Sequence, residues 1–279
     1  MKIKIILCIC LAVCLTALGV SGFMLYNDYA QRQNDQNAFE QLNEVTRATN
    51  DEAIDEAVSD ETTLPNTTES TTFDDDTAAK VDEQEFVHLA GDTYRNHIHD
   101  FKTLREINSE CVGWLSIYGT TIDYPVMHTP NNPEKYLNLN FYGDYSVSGV
   151  PFLDAECKLN GDNMIIYGHD MNAGTMFAPL LNYESRSFAQ QHSVIQLETE
   201  QGVKKYSVYS VAKIKSNDMF YNLKNAPNKA YFEQKIKDIS QKALYTIGSH
   251  PKHGQKLITL STCTNTGKDD RLIVIAVQK

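Results

Sequence analysis

The length, composition and charge of the chain limit its organisation more than its chemistry. Its 279 residues, 42% of them hydrophobic, are enough for one or two domains. The formal net charge of −11 is local, because residues 51 to 86 carry thirteen Asp and Glu and one Lys, which leaves the rest of the chain at +1. The acidity therefore says nothing about the partners of a folded domain, among which we expect no nucleic acid.

The N-terminal segment, residues 1–26, is predicted to be a transmembrane anchor. Lys2 and Lys4 precede an uncharged run from Ile5 to Tyr26, and about 20 apolar residues span a bilayer. Positive charge on the short side favours a single pass through the cell membrane, with the N-terminus cytoplasmic and the rest extracellular. A cleaved signal peptide is the alternative, since Val20-Ser21-Gly22 resembles a weak cleavage site, but the apolar core of such peptides is usually about 7–15 residues.

Residues 27–90 are predicted to form a polar, acidic and Thr-rich stalk that is largely disordered. Asn27 to Asn50 is polar with scattered apolar side chains and predicts a weak helix. The acidic segment that follows is poor in large apolar residues, so it cannot bury enough surface to offset its ordering entropy. We expect a self-repelling spacer here; a cation-binding or partner-binding tail is the alternative.

Residues 91–279 show the patterns of a folded domain. Apolar residues recur at helical spacing within residues 92–108, and Tyr118-Gly119-Thr120 separates two β-rich runs in a hairpin pattern. Short strands are then predicted at Met164–Tyr167, Val194–Thr199, Tyr206–Ile214, Leu257–Thr262 and Leu272–Val277, with helical patterns at Met176–Tyr183 and Lys229–Ala243. Mostly short strands with inserted helices predict a mostly β, α+β fold, built on a barrel or a sandwich.

Three of the six cysteines lie outside the apolar run: Cys111, Cys157 and Cys263. An odd number leaves at least one unpaired or paired with another chain, and whether Cys111 pairs with Cys157 stays open. Cys263 ends a strand-like run and is followed by small and polar residues, so its sulfur is expected at the rim of the sheet. The alternative is an apolar cysteine that fills a strand end.

A histidine and an arginine also stand where strands meet loops. Ile165-Ile166-Tyr167-Gly168-His169 ends one apolar run, and Arg271 opens the last one. Together with Cys263 they supply a thiol nucleophile, a proton carrier and a cation for a developing oxyanion, which is the equipment for acyl transfer. The alternatives are a surface histidine and an ion pair of Arg271 with Asp269 or Asp270. His250 and His253 have loose metal-ligand spacing but lie in a polar loop, so we expect no metal.

These segments resemble the sortases, and most of all class B. The run from Thr259 to Cys263, with Arg271 a short loop later, resembles the family's TLxTC signature. Asn163 to Met171 resembles the class B pattern NxxIYGHxM, and Gly174-Thr175-Met176-Phe177 resembles the GTMF that follows it. Further matching segments are Gly113-Trp114-Leu115, Ile122–Val126 and Phe152-Leu153-Asp154. The resemblance covers roughly residues 95 to 279.

The resemblance implies an eight-stranded β-barrel with an N-terminal helix and a helix in the long connection before the cysteine strand. It implies that residues 91–279 are the catalytic domain of a cysteine transpeptidase without cofactor. Cys263 would cleave a C-terminal sorting motif of secreted proteins through a thioacyl-enzyme, with His169 and Arg271 assisting, and a peptidoglycan precursor or cross-bridge amine would receive the acyl group. Implied substrate contacts are Ser261, Thr262, Leu137 (a core leucine is the alternative), Tyr221 and Asn222.

Two other functions are compatible with the same residues. One is a pilin-polymerising sortase, in which a lysine amine receives the acyl group. The other is a non-catalytic, membrane-tethered module that binds sorting motifs, although a complete set of Cys, His and Arg argues against it.

Overall fold

The computed structural model describes residues 2–57, 99–264 and 266–279. Their α-helices are α1 (Lys2–Ala57), α2 (Phe101–Ile107), α3 (Arg186–Gln191) and α4 (Lys229–Lys242), and 3₁₀ helices span Lys135–Leu137, Ala178–Glu184 and Met219–Asn222. The strands are β1 (Cys111–Ser116), β2 (Asp123–Met127), β3 (Phe152–Leu153), β4 (Asn163–Tyr167), β5 (Val194–Thr199), β6 (Gly202–Lys215), β7 (Ala243–Thr246), β8 (Leu257–Cys263) and β9 (Asp270–Gln278).

Eight of these strands close into a barrel. The hydrogen-bonded order is β5-β1-β2-β3-β4-β8-β9-β6, and β5 pairs again with β6 to complete the circle. The N-terminal half of β6 closes the barrel, from Thr199↔Gly202 to Val194↔Ser207, whereas its C-terminal half pairs with β7 outside the circle. The predicted eight-stranded barrel is confirmed, and β7 is an additional strand that the sequence patterns did not predict.

The order of the central strands determines where chemistry can take place. β4 and β8 are parallel neighbours, and β8 and β9 are antiparallel neighbours. The C-terminal ends of β4 and β8 and the N-terminal end of β9 therefore meet at one rim of the barrel. Below that rim the strands are filled by apolar side chains, and five consecutive residues of β9, Leu272 to Ala276, are fully buried.

Most predicted elements are present, with two differences in type or extent. The hairpin is confirmed, with Ser116 opposite Asp123 across the turn. The helical pattern at Met176–Tyr183 is a 3₁₀ helix that starts only at Ala178, because Met176 has a φ of 55° and cannot belong to a right-handed helix. The predicted helix in residues 92–108 is seen from Phe101, and residues 92–98 lie outside the description.

The N-terminal helix is docked on the barrel. The weak helix predicted over Asn27 to Asn50 lies within α1, which continues to Ala57. The physical reason is burial: Phe39 and Leu42 are 5% and 2% exposed, and the Phe39 ring contacts that of Tyr124 edge-on, with 5.4 Å between centroids. The buried Asp35 carboxylate also accepts a hydrogen bond from Ser146, and burial raises the pKa of Asp35. Residues 58–90 of the expected stalk lie outside the described part of the chain.

Within the described residues, no helix is both long enough and apolar enough to cross a membrane. The side chains of residues 2–13, about half of the predicted anchor, lie outside that description.

Candidate active site

Cys263 and Arg271 face each other across the β8–β9 hairpin. They are directly opposed residues of the antiparallel ladder, and such side chains leave the sheet on the same face with Cβ atoms about 4.5–5.5 Å apart. Cys263 is exposed and Arg271 is half-buried. The hairpin alone therefore brings a thiol and a guanidinium to the same point on the rim.

His169 reaches this rim from the parallel strand β4. The ladder pairs Tyr167 with Ser261, and the amide of Gly168 donates to the Ser261 carbonyl at 3.2 Å. The Thr262 hydroxyl then donates to the Gly168 carbonyl at 2.9 Å. Two hydrogen bonds thus hold the residue before the histidine against the two residues before the cysteine.

The segment after His169 folds back and fixes its backbone. The Phe177 amide donates to the His169 carbonyl at 2.8 Å, and Asp170 forms an isolated bridge with Met176. A Cβ atom on Gly168 would lie 2.6 Å from the buried Phe177 ring, so only glycine permits this close approach. Gly168 is thus needed for close packing against Phe177.

The imidazole of His169 is held by the main chain. Its Nε2 lies 2.8 Å from the carbonyl oxygen of Leu137, in the 3₁₀ helix between β2 and β3. No contact of this ring with the Asp170 carboxyl is found among the described residues, so the geometry there does not form an aspartate-supported triad. Burial raises the pKa of Asp170. Sequence reasoning did not find the Leu137 carbonyl, because a backbone acceptor has no residue signature.

Arg271 is fixed by backbone carbonyls and not by an ion pair. Its Nη1 donates to the carbonyls of Lys268 and Asp270, both at 3.0 Å. The Asp270 carboxylate binds Lys215 instead, and this hydrogen bond lowers the pKa of Asp270. Among the described residues Arg271 forms no ion pair, so the alternative of a structural salt bridge does not apply to this geometry.

A pocket of about 480 Å³ joins these side chains. Cys263, His169 and Arg271 all line it. Its lining also includes a charged cluster, in which Lys224 pairs with Asp154 at 3.0 Å and with Glu156 at 2.7 Å. Sequence reasoning missed the Lys224 pair, which depends on residues about 70 positions apart. The pocket is large enough for several residues of a peptide, and the exposed Cys263 is part of its lining.

Four of the five predicted substrate-contact residues line this pocket, namely Leu137, Tyr221, Ser261 and Thr262. Leu137 lines the pocket and also packs against the core, so its position is compatible with either predicted role. Tyr221 and Ser261 are buried and joined by a 2.8 Å hydrogen bond between their hydroxyls, and burial is the main cause that raises the pKa of Tyr221 to about 12. Asn222 does not line the pocket; it is exposed and its amide contacts the Met219 sulfur.

The other two cysteines of the barrel are unsuited to nucleophilic chemistry. Cys111 and Cys157 are free and buried, and burial raises the pKa of each to about 12. They are therefore neutral thiols at physiological pH, whereas Cys263 is open to solvent. Among the described residues there is no cluster of His, Cys, Asp and Glu that could hold a metal ion.

Comparison with known proteins agrees with this geometry. A model of the sortase domain family matches residues 115–279, which is more than half of the chain. The chain belongs to the sortase family. Its similarity to curated sortases places it in class B: it is 29% identical to sortase B of Staphylococcus aureus over 66% of this chain and 76% of that protein. It is 32% identical to sortase B of Listeria monocytogenes over 61% of this chain and 69% of that protein.

Solved structures give the same class. The crystal structure of S. aureus sortase B matches with a TM-score of 0.61 and 28% identity, over 70% of this chain and 94% of that one. The chain is thus a sortase-type cysteine transpeptidase built on an eight-stranded barrel.

Proposed function

We propose that this sortase cleaves a C-terminal sorting motif of secreted proteins and transfers the new acyl group to an amine of the cell wall. Cys263 is the nucleophile, His169 carries the proton and Arg271 stabilises the tetrahedral oxyanion. The observation that carries this assignment is that an exposed thiol, an imidazole and a guanidinium line the same pocket.

The first half-reaction forms a thioester. The Cys263 sulfur attacks the carbonyl carbon of the scissile peptide bond, the thiol proton passes to His169, and the oxygen becomes an oxyanion. Arg271 has five N–H donors in a planar fork. Backbone carbonyls occupy Nη1, and the remaining donors can bind the oxyanion. When the C–N bond breaks, His169 gives its proton to the leaving amine.

The second half-reaction reverses these steps with a different amine. The incoming nitrogen attacks the thioester carbonyl and transfers a proton to His169. The C–S bond then breaks, and the proton returns to the Cys263 sulfur. An amide is formed, the enzyme is regenerated and no cofactor is consumed. Support for a peptide donor and an amine acceptor comes from relatives: solved structures include an S. aureus sortase B-substrate complex and a sortase B complexed with triglycine.

The proposal includes an extracellular domain tethered by residues 1–26. It is supported by the uncharged run from Ile5 to Tyr26 and by the two lysines before it. Cell fractionation tests the tether: full-length protein should be found in membranes, and a shortened protein beginning near Phe23 in the medium would contradict it.

The experiment that tests the chemistry is mass spectrometry of the intact protein with a sorting-peptide library and a panel of amines. A thioacyl adduct should form on Cys263, and an oligoglycine or diamino-acid amine should convert it to an amide. If only free acid is released in the presence of every amine, the protein is a peptidase. If the acceptor is used only as a lysine side chain of another protein, the pilin-polymerising alternative holds.

A further inference from the structure

We infer that the Leu137 carbonyl selects the tautomer of His169, so that Nδ1 and not Nε2 exchanges the proton with Cys263, and that Glu110 is the positioning residue that holds this carbonyl in place. This inference rests on the proposed role of His169 and names the atom that performs it.

The tautomer follows from the nature of the acceptor. A carbonyl oxygen can only accept a hydrogen bond, so the 2.8 Å contact between Leu137 O and His169 Nε2 requires a hydrogen on Nε2. In the neutral imidazole the other nitrogen, Nδ1, is then the only one with a free lone pair. Nδ1 is thus the nitrogen that can take the thiol proton and later give it to the leaving amine, while Nε2 keeps its hydrogen throughout.

The Leu137 carbonyl can select a tautomer only if it is itself held in place. Polar contacts of its 3₁₀ helix, Lys135–Leu137, fix its position. Glu110, just before β1, accepts hydrogen bonds from the Tyr136 hydroxyl at 2.5 Å and from Lys135 Nζ at 2.6 Å. Asn108 donates to the same Tyr136 hydroxyl at 2.8 Å. Burial raises the pKa of Glu110, but the hydrogen bonds from Lys135 and Tyr136 outweigh it and lower the pKa overall. Glu110 is therefore ionised and binds both residues that precede Leu137.

A second contact holds the other side of the turn. The Val150 amide donates to the Tyr136 carbonyl at 3.1 Å. At Gly149, which has a φ of 59°, a Cβ atom would lie 2.5 Å from the Tyr136 oxygen and 2.7 Å from the Leu137 oxygen. The chain before β3 thus lies directly against the two carbonyls, and the Leu137 oxygen has little room to move.

The ring nitrogens can be observed directly. We would label the histidines of the full chain with ¹⁵N, assign His169 by comparison with His169→Gln, and record nitrogen shifts and one-bond N–H couplings at a pH where the ring is neutral. The expected result is a protonated Nε2 and an unprotonated Nδ1. A protonated Nδ1, or an even mixture of tautomers, would overturn the inference.

The positioning role of Glu110 is tested by a graded pair of variants with a matched control. Glu110→Ala removes both acceptor contacts and should lower kcat by roughly 10-fold or more at little change in KM, because misplacing a catalytic group by 1 Å can cost about 10²-fold. It should also raise the second tautomer in the ¹⁵N spectrum. Glu110→Gln keeps an acceptor for Tyr136 and should recover part of both readouts.

The control is Glu184→Ala, which breaks the 2.7 Å ion pair with Lys213, of similar exposure but away from the pocket. It should leave kcat and the His169 spectrum unchanged. Equal losses in both alanine variants, or a Glu110→Ala enzyme with full kcat, would refute the positioning role. The His169→Gln variant distinguishes failure of this inference from failure of the proposed function. Full activity in that variant would show that His169 has no role in the mechanism.

Discussion

Replacing Arg271 separates a shaped oxyanion site from a general positive charge. Arg271→Lys keeps the charge, but an ammonium cannot reproduce a planar fork that binds backbone carbonyls through one nitrogen and an oxyanion through the others. We therefore expect Arg271→Lys to be nearly as damaging as Arg271→Ala.

The magnitude follows from the contacts of the side chain. Loss of one oxyanion donor typically lowers turnover by roughly 10²–10³-fold, or about 2.7–4 kcal/mol of transition-state stabilisation. The fold should tolerate the change, because the two hydrogen bonds from Nη1 to the Lys268 and Asp270 carbonyls are each worth only about 0.5–1.5 kcal/mol. Both variants should stay folded while kcat falls by about two orders of magnitude.

The assay compares acyl transfer with simple alkylation of Cys263. Acyl transfer is followed as product formation from a library-selected sorting peptide and an amine. Iodoacetamide alkylation, followed by mass spectrometry of the Cys263 peptide, forms no oxyanion and should be much less affected. The matched control is Lys215→Gln, which removes a cation from the neighbouring strand, where Lys215 pairs with Asp270, but not from the pocket.

Three results would contradict this reasoning. Near wild-type turnover in Arg271→Lys would mean that only the positive charge of the side chain is needed. A comparable loss of turnover in Lys215→Gln would mean that the total positive charge near the rim of the barrel matters, and not the position of Arg271. If Arg271→Ala did not fold, the residue would be structural. That result would contradict the stability expected from the absence of ion pairs of Arg271 among the described residues.

Four further substitutions test the site and the packing of the fold that supports it. Cys263→Ala should abolish adduct formation without loss of stability, because the side chain is exposed. Cys157→Ala should keep activity and lower the unfolding free energy by about 1 kcal/mol, because its side chain is buried. Adduct formation is measured by mass spectrometry and stability by thermal melting. Tyr221→Phe removes the hydroxyl contact with Ser261 and should raise KM more than it lowers kcat in peptide titrations. Phe39→Ala should release α1, since burial of such a ring is worth about 3–5 kcal/mol, and limited proteolysis should then cut the helix while the barrel keeps its activity.

Periodicity and motif spacing predicted the parts of the molecule that repeat a local rule. Strands β4, β8 and β9 alternate or run apolar over four or more residues, and the site residues stand at the ends of these patterns. The β1–β2 hairpin could also be predicted, because a glycine separates two β-rich runs. In the structure Gly119 has a φ of 75°, which glycine adopts readily in a turn. These features depend on residues that are close in sequence, so they can be predicted from the sequence.

The features that sequence reasoning missed depend on contacts between distant segments. The Leu137 carbonyl holds His169 across 32 positions, and any residue type could have supplied that oxygen. Asn222 was predicted beside Tyr221, yet consecutive residues of a 3₁₀ helix face different directions, so one enters the pocket and the other faces solvent. Docking of α1 was missed for a related reason: Phe39 and Leu42 form too short an apolar stripe to stand out within a polar helix.

The geometry of the site is a consequence of sheet register. Cys263 and His169 come from parallel neighbours whose alignment is set by five paired residues of β4 and β8 and by the Thr262–Gly168 hydrogen bond. A slip of one residue in β8 would turn the thiol to the opposite face of the sheet, so the same hydrogen bonds that stabilise the barrel also hold the proposed nucleophile in place. Part of the pocket wall comes instead from connecting segments, including the 3₁₀ helices Lys135–Leu137 and Met219–Asn222, which contribute Leu137 and Tyr221. Changes in these connections can alter which peptide is bound without moving the reacting atoms, except at Leu137, whose carbonyl hydrogen-bonds to the histidine.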